Sequence, residues 1–119
     1  REPVHIHPED AARRGITDGM VVRVFNDRGA TLAGAVVTAD VMPGVIRLAT
    51  GAWYDPADPA ARGSLDKHGN PNVLTAYRPT SAVSQAPTAH STLVEVEPYR
   101  GALPEVTAFD PPVADIAAE

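Results

Sequence analysis

The sequence predicts a mainly β domain: a small closed barrel of short strands, with one short helix and one long functional loop. Three observations predict this class. Short apolar and β-branched runs alternate with turn signals, as they do in small barrels. One segment carries the signals of both a helix start and a helix end. The stretch from Thr50 to Thr92 then breaks the pattern, and loops of such length inside one domain are usually functional.

The first two elements are a strand, Glu2–Ile6, and a short helix that follows it. Pro8 suits the first helical position, and Gly15 supplies the residue that ends the helix. Acidic residues in the first turn and basic residues in the last turn complement the helix dipole. His7 is a poor N-cap, for which the sequence offers no reason. Because the chain begins at Arg1, immediately before a strand, we expect it to have been cut from a longer protein.

Four further strands are predicted from β-branched, apolar or alternating runs. A hairpin turn that ends at Gly29 joins the first two of them, with Gly29 at a position where φ can be positive. Pro43 and Gly44 form a type II turn before the third. The predicted strands are Met20–Phe25, Ala30–Thr38, Val45–Ala49 and Thr92–Glu97. Residues 1–99 are therefore assigned to the barrel, and residues 100–119 to an extended Pro- and Ala-rich tail.

Composition narrows the function classes. The 119 residues suit one domain, and 44% hydrophobic with 21% charged residues is ordinary for a globular protein. A net charge of −5 with scattered basic residues predicts no nucleic-acid surface. No apolar run approaches the roughly 20 residues that cross a bilayer, so no membrane insertion is predicted. Both periplasmic and cytoplasmic locations in a bacterium stay open.

Chemistry-bearing motifs are few. There is no cysteine, which excludes thiolate-held clusters, and no G-x-S-x-G pattern for a serine nucleophile. The four histidines lack ligand spacing, so surface or loop positions are the more frequent interpretation. Gly15 and Gly19 do not form a phosphate loop, because Lys-Thr does not follow them. The sequence predicts neither a catalytic residue nor a metal ligand.

The long loop offers groups that could bind a heterocycle. Trp53 and Tyr54 provide flat faces, and the asparagines after His68 provide donors and acceptors of the kind that reading a purine or pterin edge requires. The structural alternative is that Trp53 lies in the core and the asparagines form turns. Composition alone leaves both interpretations open.

Several motifs resemble the C-terminal molybdopterin-dinucleotide-binding domain of the dimethyl sulfoxide reductase family. Within that family, the trimethylamine-N-oxide and biotin sulfoxide reductases are the most similar subgroup. The resemblance covers nearly the whole chain. The motifs that carry it are Ile6–Ile16, Gly51–Pro56, His68–Thr75 and Val106–Pro112.

This resemblance implies a six-stranded double-psi β-barrel and a bis(molybdopterin guanine dinucleotide) molybdenum cofactor. The cofactor would be held between this domain and upstream domains of the same protein, which reduces S-oxides or N-oxides. This domain alone would have no turnover, because the molybdenum ligand lies upstream. The alternative is a stand-alone double-psi barrel that acts as a binding or interaction module without pterin. The candidate cofactor-binding residues are Trp53, His68, Asn70, Asn72, Ser81 and Gln85.

Two positions depart from the family's pattern. Pro79 stands where the family has Gly, which removes one backbone N–H from the loop. His7 opens the helix where Asn is common. Both departures concern individual contacts rather than the family.

Overall fold

The computed structural model describes residues 1–76, 80–86 and 89–112. These residues form a five-stranded sheet with the order β4-β1-β3-β2-β5, so the mainly β prediction is confirmed. The described part also contains one α-helix, α1 (Pro8–Arg14), and two short 3₁₀ helices, Pro71–Val73 and Ala89–Ser91. The strands are β1 (Pro3–Ile6), β2 (Val21–Asn26), β3 (Gly29–Val37), β4 (Ile46–Leu48) and β5 (Glu95–Pro98).

The sheet is mixed and strongly curled. β1 pairs in parallel with β3 and antiparallel with β4, while β2 pairs antiparallel with both β3 and β5. The edge strands β4 and β5 both line one pocket of about 310 Å³, through Ile46 and Val96. The two edges of the sheet therefore face the same cavity.

The core lies inside this curl and follows the strand alternation. Val4 and Ile6 of β1 and Val22 and Val24 of β2 are at most 1% exposed. Each such side chain contributes roughly 1.5–3 kcal/mol by leaving water. The small residues of β3 allow the neighbouring strands' larger side chains to pack over it. The buried cluster contains Val4, Ile6, Ala11, Ile16, Val22, Val24, Ala33, Ala35, Leu74 and Val96.

Helix α1 has the predicted ends, and His7 has a structural reason. The His7 Nδ1 atom accepts a hydrogen bond from the Glu9 N–H at 3.1 Å, so the imidazole caps the helix as an Asn side chain would. Gly15 adopts φ 69°, the left-handed conformation expected at the C-cap. Asp10 ties the helix to the turn before β4, because the Gly44 N–H donates to its carboxylate at 2.6 Å.

The predicted role of Gly29 is wrong. Its φ is not positive. A Cβ there would lie 2.6 Å from the carbonyl oxygen of Val73, so glycine is required because the first 3₁₀ helix packs against the hairpin backbone. The turn is closed instead by Asn26, whose side-chain oxygen accepts from the Arg28 N–H at 2.9 Å. The prediction for Gly44 is confirmed, with φ 81°.

The last strand begins later than predicted, at Glu95 rather than Thr92. The preceding residues leave the sheet, and the Leu93 carbonyl accepts a hydrogen bond from the Asn26 side chain at 3.1 Å. The alternating apolar and polar pattern therefore includes residues that precede the hydrogen-bonded strand β5. Among the described residues, no helix is long and apolar enough to cross a membrane.

Candidate functional site

Residues 66–72, the site segment, begin as an extension of the sheet. β1 pairs with the second half of β3, from Gly34 onward, and Asp66 takes the adjacent position beside the first half. The Asp66 N–H donates to the Ala30 carbonyl at 3.0 Å, and the Leu32 N–H donates to the Asp66 carbonyl at 2.9 Å. The Glu2 N–H then donates to the His68 carbonyl at 3.1 Å. The loop is thus hydrogen-bonded to the sheet through this segment.

The Asp66 carboxylate organises this segment. Its Oδ2 accepts from the Thr31 hydroxyl at 2.6 Å, the Gly69 N–H at 2.9 Å and the Asn70 N–H at 2.7 Å. Its Oδ1 accepts from the Asp55 N–H at 2.8 Å. Asp66 is 0% exposed, and a buried carboxylate requires such donors to offset its lost hydration. These bonds fold the segment around one side chain.

Sequence reasoning missed Asp66. A signal was present, because Asp side chains readily accept from N–H groups a few residues later, and glycine stands three positions on. Gly69 adopts φ 95°, and a Cβ there would lie 2.7 Å from the Glu2 Cβ. Glycine is therefore needed both for conformation and for space.

The two asparagines of the segment have different surroundings. Asn70 is 9% exposed, and its Oδ1 accepts from the Asn72 N–H at 2.9 Å, which caps the 3₁₀ helix Pro71–Val73. The turn interpretation therefore applies to the Asn70 oxygen. The Asn72 side chain is exposed on that helix.

His68 is buried, with its ring edge-on to the Phe109 ring at a centroid distance of 5.0 Å. Its Nδ1 atom is buried and has no hydrogen-bond partner among the residues the structure describes. Buried polar atoms are rarely left in this condition. The described part of the chain therefore leaves this nitrogen unsatisfied.

Trp53 and Tyr54 are 70% and 52% exposed, so the alternative that places Trp53 in the core is wrong. The next residue, Asp55, is buried, and its carbonyl accepts from the Lys67 N–H at 2.8 Å. Two exposed aromatic faces therefore precede a residue that is paired directly with the site segment.

Ser81 and Gln85 lie together in a separate turn, which residues 80–86 form. The Gln85 N–H donates to the Ser81 carbonyl at 2.8 Å, and the Ser81 N–H donates to the Ala86 carbonyl at 2.9 Å. Gln85 has φ 59°, a conformation that non-glycine residues rarely adopt and that concentrates at functional positions. Its side chain is exposed. The departure at Pro79 lies outside the described residues.

A buried charge pair adjoins the site segment. The Lys67 ammonium lies 3.5 Å from the Asp55 Oδ1. Burial by itself raises the pKa of Asp55, but hydrogen bonds donated by the Thr107 hydroxyl and N–H, together with the Lys67 charge, outweigh it. The pKa of Asp55 therefore lies below its ordinary value, and the carboxylate is ionised at neutral pH.

The larger described pocket, about 460 Å³, lies beneath the first 3₁₀ helix. Pro71 and Leu74 line it together with β4, whereas the six candidate residues are not among its described lining. Within the same described ranges, no group of three His, Asp or Glu side chains could hold a metal ion. Of the six candidate residues, Trp53, Asn72 and Gln85 are exposed and Ser81 is half-buried, whereas His68 and Asn70 are buried.

The sequence pattern of a family described as "Molydopterin dinucleotide binding domain" matches residues 1–93, which is more than half of the chain. The chain belongs to this family. The resemblance read from the motifs is therefore confirmed. The residues present fit such a ligand, because the buried Nδ1 of His68 lacks a partner in the described part and the Asn72 and Gln85 side chains are exposed.

Several curated proteins that are named as reductases are similar in sequence to this chain. The chain is 54% identical over 117 residues to a trimethylamine-N-oxide reductase of Salmonella typhimurium, covering 98% of this chain and 14% of the relative. It is 56% identical over 107 residues to trimethylamine-N-oxide reductase 1 of Escherichia coli K12 (90% and 13%). It is 52% identical over 111 residues to a dimethyl sulfoxide/trimethylamine N-oxide reductase of Cereibacter sphaeroides (93% and 14%). The chain thus spans a small part of the relatives' length.

Proposed function

We propose that this chain is the cofactor-binding part of a larger molybdenum oxidoreductase that reduces N-oxides or S-oxides. Its ligand is bis(molybdopterin guanine dinucleotide), enclosed between this domain and upstream domains of the same protein. The observation that carries the proposal is the identity of 52–56% to reductases of trimethylamine N-oxide and dimethyl sulfoxide, over at least 90% of the chain. That similarity favours the reductase over a stand-alone module without pterin.

The fold proposed for residues 1–99 is a six-stranded double-psi β-barrel, with residues 100–119 as a tail. Three observations support it: the parallel β1–β3 pair within an otherwise antiparallel sheet, the curl that turns both edges toward one pocket, and the Asp66 bridge beside the free half of β3. The Asp66 segment then continues the wall that β1 begins. The Tyr99 N–H, which donates to the Val21 carbonyl at 3.0 Å, lies at the end of the barrel.

The proposed contacts follow from what each side chain leaves free. Trp53 offers an exposed ring face for stacking, and Asn72 offers an exposed amide. The Gln85 amide is also exposed, but its Nε2 donates to the Ala82 carbonyl at 3.3 Å and its Oε1 accepts from the Thr80 hydroxyl at 3.5 Å, so a ligand would replace these local bonds. His68 offers its Nδ1 atom. The Asn70 Oδ1 is already engaged, so a contact from Asn70 would come from its Nδ2. The sixth contact is the hydroxyl of Ser81.

Bound molybdenum would supply two-electron oxygen-atom transfer. The residues of this chain would bind and orient the dinucleotide, and we assign none of them a catalytic role. A cofactor enclosed by several domains receives only part of its contacts from one wall, so this domain alone should hold it weakly.

The Asn72→Ala variant of the full-length protein tests the proposed site. Leaving a buried ligand group unpaired costs about 1–3 kcal/mol, which corresponds to a roughly five- to hundredfold loss in cofactor affinity. Because the Asn72 side chain is exposed in this domain, its removal should change the free energy of unfolding by less than about 0.5 kcal/mol. Molybdenum content and thermal unfolding measure the two effects.

Asn26→Ala is the matched control. The Asn26 side chain donates to the Leu74 carbonyl at 2.8 Å and accepts from the Arg28 N–H, so it is structural. Its loss should lower the unfolding temperature clearly. If Asn72→Ala behaves in the same way while molybdenum content stays at the wild-type level, Asn72 is a turn residue and the site assignment is wrong.

A further inference from the structure

Residues 104–109 of the tail, here called the strap, lie against the site segment. The Arg1 guanidinium contacts both the strap and the site segment. It donates to the Pro104 carbonyl and, through Nε, to the Lys67 carbonyl at 2.9 Å. The sequence predicts an extended tail, and its described part makes specific contacts with buried residues beside the candidate site.

Thr107 connects the strap to the buried charge pair. Its N–H donates to the Asp55 Oδ2 at 2.8 Å, and its hydroxyl donates to the Asp55 Oδ1 at 2.7 Å. The same hydroxyl accepts from the Lys67 Nζ at 2.9 Å. Asp55 and Lys67 are 5% and 8% exposed, so one side chain from the tail completes the hydrogen bonding of two buried ions.

These two ions lie in two chain segments that are joined by an isolated antiparallel bridge between Pro56 and Asp66. The Lys67 N–H donates to the Asp55 carbonyl, and the Asp55 N–H donates to the Asp66 carboxylate. A displacement of Asp55 would therefore be felt directly by the carboxylate that folds the segment. Phe109 adds a second contact, because its ring packs against His68.

Thr107 and Phe109 are themselves exposed, with Phe109 at 73% exposure, so neither belongs to the hydrophobic core. The bonds of the Thr107 N–H and hydroxyl go to Asp55 and Lys67, and the Phe109 ring packs against His68. We propose that the strap is a positioning element of the cofactor site: Thr107 acts through Asp55 and Lys67, and Phe109 acts through His68. This inference rests on the proposed function of the segment.

The test uses the full-length protein and the variants Thr107→Val, Thr107→Ser and Phe109→Leu. Hydrogen exchange is followed in peptides that cover residues 65–72, with β2 as the internal reference. Thr107→Val removes the hydroxyl while retaining shape and N–H, so exchange in residues 65–72 should be about three- to tenfold faster. Molybdenum and guanine nucleotide retained after dialysis should fall by a similar factor. Thr107→Ser should restore both values, and Phe109→Leu should reduce retention with β2 unchanged.

Thr38→Val is the control, because Thr38 lies beyond the opposite end of β3. Its hydroxyl accepts a hydrogen bond from the Asp40 N–H within a local turn. This variant should leave both readings at the wild-type level. The inference is overturned if Thr107→Val changes neither reading, if retention falls without faster exchange in residues 65–72, or if serine fails to rescue. Wild-type protein without molybdenum and guanine nucleotide would overturn the proposed function, and the positioning role with it.

Discussion

Asp66 and Asp55 are acidic residues that lie close together in space and have different structural roles in this domain. The oxygens of Asp66 accept hydrogen bonds from the Thr31 hydroxyl and from the N–H groups of Asp55, Gly69 and Asn70. Asp55 instead shares its charge with Lys67 and the strap. The first determines the shape of the site segment, and the second attaches the segment to the C-terminal tail.

Replacement of Asp66 by Asn should destabilise the domain strongly. An amide has one oxygen, so in either orientation its nitrogen faces a donor: the three that converge on Oδ2, or the Asp55 N–H at Oδ1. A buried donor left without an acceptor costs about 1–3 kcal/mol. We expect the free energy of unfolding in urea to fall by about 3–5 kcal/mol. Asp27→Asn, at an exposed hairpin position, should change it by less than about 0.5 kcal/mol. Similar small effects for the two variants would contradict the role given to Asp66.

The lowered pKa of Asp55 predicts an acid-sensitive strap. A group whose folded-state pKa is depressed stabilises the fold fully above its unfolded value, here 3.8, and loses that contribution as pH falls through the folded value. Exchange protection around Thr107 should therefore decrease below the ordinary pKa of Asp55, while β2 stays protected. Asp55→Asn should show a weaker pH dependence. An equally steep dependence in that variant would assign the effect to another group.

At the scale of elements, local signals located the helix and most strands. Pro8 and Gly15 bounded α1 because caps act on neighbouring backbone. The hairpin pattern predicted Gly29 as a turn residue. It could not show that Val73, which is distant in sequence, packs against Gly29. The Asp66 segment carried a local signal in Gly69, but its attachment to Thr31 could not be predicted, since Thr31 lies 35 residues away. The sequence located the loop, but only tertiary contacts divide it into fixed and exposed parts.

That division can be measured by hydrogen exchange. The stretch from Thr50 to Thr92 contains both amides that are bonded to buried groups and an exposed turn. The amides of Asp66, Gly69 and Asn70 are bonded to β3 or to a buried carboxylate, so they should exchange nearly as slowly as β3. The exposed turn at residues 80–86 should exchange faster. Uniform rates across both parts would contradict this view of the loop.

At the scale of the whole molecule, motif matching predicted the family because the motifs run through nearly the entire chain, and residues 1–93 match the family pattern. The six candidate residues came from the same motifs, and the structure gives them unequal surroundings. Asn70 is partly occupied as a cap, while Asn72 and Gln85 are exposed. Sequence could not separate them, because a turn asparagine and a ligand-binding asparagine carry the same amide.

The central claim is that this chain holds a molybdenum–guanine dinucleotide cofactor within a larger reductase. The most direct measurement is the molybdenum and acid-released guanine nucleotide content of the purified full-length protein. We expect the purified protein to contain two guanine nucleotides per molybdenum, since each of the two pterins carries one. A protein that is folded, contains residues 1–119 intact and carries neither molybdenum nor guanine nucleotide would contradict it.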